Sequence, residues 1–106
     1  MMGNQRDMMR QMQQMQQRLV KIQEELAVET VEGSAGGGAV TVTMTGQQKV
    51  QGIKIDPSVV DPEDVEMLQD MVLAAVNEAL RSAQELQTAK LGQATGGLGN
   101  LGLPGF

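Results

Sequence analysis

Cysteine, histidine, tyrosine and tryptophan are all absent from this chain of 106 residues. Without cysteine there is no disulfide framework and no thiolate chemistry. Without histidine, the usual zinc ligand and the usual general base are missing. The single aromatic residue, Phe106, is the last one, so the core must be built from Val, Ile, Leu, Met and Ala. Such a core in roughly 85 foldable residues contributes only a few kcal/mol net, which favours further burial by oligomerisation. No stretch approaches the roughly 20 apolar residues of a membrane span, and the opening residues have no apolar signal region. The expected setting is therefore the cytoplasm, with no membrane partner.

Positive charge is also scarce, and its distribution says more than its total. The net charge is −5, which is not the usual footprint of a nucleic-acid binder. Residues 1–23 nevertheless carry Arg6, Arg10, Arg18 and Lys21 against Asp7, a local net of +3. The rest of the chain is acidic.

The stretch "MMRQMQQMQQRLVKIQEEL" (8–26) places Met8, Met12, Met15, Leu19, Ile22 and Leu26 at alternating steps of four and three. That is a heptad seam, the mark of a coiled-coil or packing face. The intervening Gln, Arg, Lys and Glu are good helix formers. A helix from Met8 to Leu26 runs about 28 Å. It outreaches a small sheet, so part of the seam is expected to meet another chain.

"AVETVEG" (27–33) is compatible with a strand, and "SAGGG" (34–38) reads as a flexible connector. "AVTVTMTG" (39–46) alternates cleanly, with Val40, Val42 and Met44 on one face. "VQGIKI" (50–55) gives a third strand, with Ile53 and Ile55 sharing a face. Short connections predict an antiparallel meander with one buried and one polar face. In "DPSVVDPED" the second Asp-Pro step opens a helix, with Asp61 as N-cap and Pro62 in the first turn. Its apolar stripe is Val65, Leu68, Val72, Ala75, Ala79, Ala83 and Leu86, and it ends near Gly92. Residues 1–91 are thus the folded domain, and the glycine-rich 92–106 a flexible tail. The fold class is α+β: an α-β-β-β-α protomer, a small antiparallel sheet between long terminal helices. Two helices competing to cover one sheet face suggest a dimer.

An enzyme reading finds little to stand on. Ser34, Ser58 and Ser82 have no evident base beside them. Glu63, Glu66 and Asp70 follow an i, i+3, i+7 spacing that would hold Mg²⁺ weakly, but a solvated acidic face at a helix N-terminus is the ordinary reading. No metal ligand set and no cofactor is assigned. "GSAGGG" lacks the Gly-Lys-Ser/Thr end of a phosphate loop and leads into a strand. The methionines read as packing surface before binding surface. Arg6 and Arg10, then Arg18 and Lys21, form a loose basic stripe beside the seam, where solvated surface charge and phosphate contact are both open.

Taken in order, these segments resemble the YbaB/EbfC family of bacterial nucleoid-associated proteins. The resemblance rests on the Gln/Met-rich opening helix, the glycine turn before "AVTVTMTG", and "VQGIKIDPSVV". It continues through "EMLQDMVLAAVNEALRSAQE" to the tail ending "GLPGF". It implies a tweezers-like homodimer whose sheets form the body and whose helices project. It also implies binding of double-stranded DNA with little sequence preference, in the nucleoid, organising it and influencing gene expression. Carried onto this chain, it makes Arg6, Arg10, Arg18 and Lys21 the phosphate contacts. The seam of Met8, Met12, Met15, Leu19, Ile22 and Leu26 is then the dimer and packing face. Asn77, in "AAVNEA", is expected to be a structural polar contact. The acidic second helix, with only Arg81 and Lys90 as cations, departs from the family expectation. DNA affinity is then either weak or confined to the space between the two opening helices. The alternative is a dimeric coiled-coil adaptor that grips another protein through the methionine seam, with weak or no DNA binding.

Overall fold

The computed structural model describes residues 2–94, so all of the expected tail beyond Ala94 lies outside them. The elements in order are α1 (Met2–Val28), β1 (Thr30–Ala35), β2 (Val40–Thr45), β3 (Val50–Ile55) and α2 (Val65–Ala94). The strands form one antiparallel sheet in the order β1-β2-β3. This is the expected α+β arrangement of a small meander between two long helices.

Three local features set the chain apart from expectation, and α2 also runs past its expected end. First, α1 absorbs Ala27 and Val28, and β1 takes Ser34 and Ala35 from the expected connector. The Glu25 carbonyl accepts from Glu29 N–H at 2.8 Å, so the helical turn closes after Leu26 is buried. Second, the glycines are a tight turn: Gly36, Gly37 and Gly38 have φ of 63°, 69° and 95°, which residues with a Cβ adopt only at a cost. Third, Asp61 and Pro62 do not begin α2. Asp61 instead builds a turn of its own, its Oδ1 accepting from Glu63 N–H and its carbonyl from Asp64 N–H. Asp64 is the N-cap, with its Oδ1 accepting from Met67 N–H at 3.2 Å. At the other end α2 continues through Gly92 to Ala94.

The core lies between α2 and the first two strands. Val40, Val42 and Met44 meet Ala75, Ala79 and Ala83, all fully buried or nearly so. The alanine stripe lets the helix backbone approach the sheet, and Gly33 completes the approach. A Cβ on Gly33 would overlap Ala79 N and Ala75 O in the α2 backbone. Val65, the expected start of the stripe, is exposed, since it lies in the first turn of α2 at the edge of the sheet.

One helix about 10 Å wide spans two strands spaced about 4.8 Å apart, and a third is left over. The register sets Ile55 beside Val40, Ile53 beside Val42 and Val50 beside Met44, on the face that α2 covers further in. There they stay open, with Ile53 48% exposed. The expectation of three strands burying one face therefore holds for two.

A second, smaller cluster joins the base of α1 to α2: Ile22 and Leu26 are buried, with Leu19 and Leu86 packed against them. The heptad seam is thus divided. Its last residues meet their own chain, while Met8 and Met12 are each 62% exposed. Every side chain from Asn4 to Gln14 is exposed, so this half of α1 projects as an arm. The molecule measures 75 × 27 × 16 Å with a radius of gyration of 20.0 Å, against about 13 Å for a compact chain of this length.

Candidate nucleic-acid interface

Long unbranched side chains and the lack of Gly or Pro after Gly3 keep α1 helical well beyond its last contact. On α1 Arg6, Arg10, Arg18 and Lys21 are all exposed, the first two on the projecting half and the last two nearer its base, beside Leu19 and Ile22. At 100° per residue they occupy a sector about 120° wide, centred roughly 140° from the seam, shared with Asp7, Gln14 and Gln17. From Arg6 to Lys21 the rise is about 22 Å, roughly two-thirds of a turn of duplex DNA.

Ion pairing separates the eight cations of the chain into two groups. Arg81 is held within α2 by Glu78 and Glu85, which raise its pKa through a hydrogen bond to Glu78 and the charge of both carboxylates. Lys90 is held by Glu29 at 2.9 Å and Glu25 at 3.0 Å, and those two hydrogen bonds raise its pKa. Among the described residues the other six cations form no ion pair: Arg6, Arg10, Arg18, Lys21, Lys49 and Lys54. Four of them are on α1. Lys54 is on the open polar face of the sheet in register with Thr41, and Lys49 is in the β2–β3 hairpin.

The same hairpin braces the arm at its base. Gln47 Nε2 donates to the Gln23 carbonyl at 3.0 Å, and Gln87 Nε2 donates to the Gly46 carbonyl at 2.6 Å. Gly46 packs against Leu26. Inside the hairpin, Thr45 Oγ1 accepts from both Gln47 and Lys49 N–H. Sequence reasoning flagged the four α1 cations. It missed Gln47 and the double link of Lys90, whose partners are 61 and 65 residues away.

Acidic groups gather at the opposite end. Met71 of α2 lies against Gly36, while Gln87 and Lys90 reach Gly46 and Glu29. The N-terminal end of α2 is therefore at the end of the sheet remote from α1. Asp61, Glu63, Asp64, Glu66 and Asp70 cluster there, with no cation in sequence between Lys54 and Arg81. Glu63 precedes the helix, so the spacing once considered for Mg²⁺ is not a helical face. No group of three carboxylates among the described residues is placed to hold a metal ion. Asp56 is occupied in a turn, where Ser58, through its backbone first and its side chain second, lowers its pKa. No described helix is long and apolar enough to cross a membrane.

The fold and this charge pattern define an elongated α+β protein whose unpaired cations gather on one long projecting helix. Residues 2–98 match the YbaB/EbfC DNA-binding family. The chain is 58% identical over 105 residues to a nucleoid-associated protein of Moorella thermoacetica, covering 99% of this chain and 98% of that one. It is 57% identical over 104 residues to a nucleoid-associated protein of Acetivibrio thermocellus, covering 98% and 90%. A third, from Chloroflexus aurantiacus, is 56% identical over 98 residues, covering 92% and 98%. The crystal structure of an uncharacterized protein from Helicobacter pylori shares the fold, with a TM-score of 0.64 at 23% identity over 74% of this chain and 82% of that one. The chain belongs to the YbaB/EbfC DNA-binding family.

Proposed function

We propose that the protein is a non-enzymatic, nucleoid-associated protein that binds double-stranded DNA with little sequence preference, organising the nucleoid and influencing gene expression. The observation that carries this reading is α1, where four cations without carboxylate partners share one sector of the helix, two of them on its projecting half. Arg6, Arg10, Arg18 and Lys21 contact phosphates, and Gln14 and Gln17 add hydrogen bonds to the backbone. Such contacts position a duplex without reading its bases. A homodimer presents two arms as tweezers, joined through the apolar face that α2 leaves open on β3 at Val50, Ile53 and Ile55.

DNA titration across a salt series tests this. With both arms engaged, Z reaches at most eight, and log K falls against log[salt] with a slope up to about −7. Changing Arg6, Arg10, Arg18 and Lys21 together to glutamine abolishes most of that slope. Absence of binding at low salt, or binding indifferent to both salt and these changes, overturns the reading. The exposed Met8 and Met12 favour a second one, an adaptor whose seam seats in the groove of another protein. A stoichiometric protein partner retained after nuclease treatment, together with no DNA binding, would support it.

A further inference from the structure

Lys90 differs from the unpaired cations in both position and partners. Its side chain is 18% exposed, and its ammonium bridges Glu25 and Glu29, which are one turn apart at the base of α1. We propose that Lys90 is a positioning residue for the arm: it ties α2 to the base of α1, sets the direction in which the arm cations face a duplex, and makes no phosphate contact itself. The inference rests on the DNA-binding reading above.

The other attachments at the base leave that direction weakly fixed. Ile22 and Leu26 pack against Leu86, but apolar contact is non-directional and permits a helix to swing over its partner. Gln47 Nε2 offers exposed neutral hydrogen bonds to the Gln23 carbonyl and, at 3.5 Å, to its Oε1, and Gly46 N–H donates to the Glu29 carbonyl just past the end of α1. Lys90 supplies two charge-assisted hydrogen bonds from a different element, and these are both directional and stronger. Two anchor points along the α1 axis oppose both tilt and rotation. From Glu25 to Arg6 the helix is about 28 Å long, so a swing of about 10° moves Arg6 by about 5 Å. That exceeds the axial step of about 3.4 Å between phosphates of one strand. With its two glutamates, Lys90 forms a trio of net charge −1, which repels phosphate.

The test compares Lys90→Met, which keeps an aliphatic side chain of similar length, with Lys90→Arg, which keeps the charge. The chain has no cysteine, so spin labels at Gln5→Cys and Glu32→Cys are unambiguous. Labelled protein is diluted into unlabelled protein so that only intrachain distances are read, in the absence of DNA. The arm-to-sheet distance distribution broadens in Lys90→Met and narrows again in Lys90→Arg. DNA affinity of Lys90→Met falls about fivefold, the low end of coupling between linked sites, while its salt slope is unchanged. An unchanged distance distribution overturns the proposal. So does a slope shallower by about 0.9 for each Lys90 removed, which would make Lys90 a phosphate contact. Because the distances are measured without DNA, they judge the anchor even where wild-type protein shows no salt-dependent DNA binding.

Discussion

Replacing Gly33 with alanine adds one methyl group at the place where α2 and the sheet are closest. Its Cβ would overlap Ala79 N and Ala75 O and stand 2.8 Å from Ala79 Cα. All three are backbone atoms in the middle of a 30-residue helix, so no side-chain rotation relieves the clash. Ordinary van der Waals contact requires α2 to lift by about 1 Å, which opens the layer between Ala75, Ala79 and Ala83 and the valines of β2. Overpacking costs about 1–3 kcal/mol where side chains can shift, and this position belongs at the upper end, about 3 kcal/mol. For a domain of this size, Tm then falls by about 12–24 °C. Urea unfolding followed by far-UV circular dichroism, at fixed protomer concentration, reads the change. Gly52→Ala is the matched control, because nothing lies within 4 Å of the added methyl. A Gly33→Ala variant within about 0.5 kcal/mol of that control would refute the close-approach account.

Two further outcomes follow from the exposed strand and the bridged lysine. Ile53→Asp with Ile55→Asp places charge on the open face of β3 and should convert a dimer to monomer in sedimentation at micromolar concentration; a dimer unaffected by both removes β3 from the interface. Lys90 titrates above its ordinary 10.5 because the Glu29 and Glu25 hydrogen bonds favour the ammonium. A raised pKa means the stabilisation is complete below 10.5 and is lost as pH rises through the folded value. On the alkaline side of neutrality, the arm-to-sheet distance should therefore stay constant through pH 8 and broaden in strong alkali; broadening near pH 8 would contradict it.

Local pattern made much of this fold legible. The alternation of Val40, Val42 and Met44 reports a buried face because each residue repeats the same environment two positions on. The seam from Met8 to Leu26 reports a helix for the same reason at a different period. Pattern failed where two local signals competed or where the partner was distant. Asp61-Pro62 and Asp64 both resemble helix starts, and only the hydrogen bonds of the Asp61 turn decide between them. Ile53 looks like core from its alternation, but whether a helix reaches the third strand depends on the width and placement of α2. The arm cations were visible as a charge excess, and the resemblance to a DNA-binding family gave them a purpose. Lys90 was not distinguishable from any helix-surface lysine, since Glu25 and Glu29 come beside it only through the packing of Leu86 on Ile22 and Leu26.

The separation of charge along this molecule also governs how it arrives. With unpaired cations on a projecting helix and five carboxylates at the far end, the protein carries a long permanent dipole. On the DNA-binding reading proposed above, that dipole would turn the arm toward a duplex before any contact forms, despite the net negative charge. Salt then acts twice, weakening the final contacts and erasing the orientation at encounter once the Debye length, about 8 Å at physiological ionic strength, is far shorter than the molecule. On the same reading, the acidic ends of neighbours on one duplex would face away from the DNA and repel each other side by side, an effect that salt weakens.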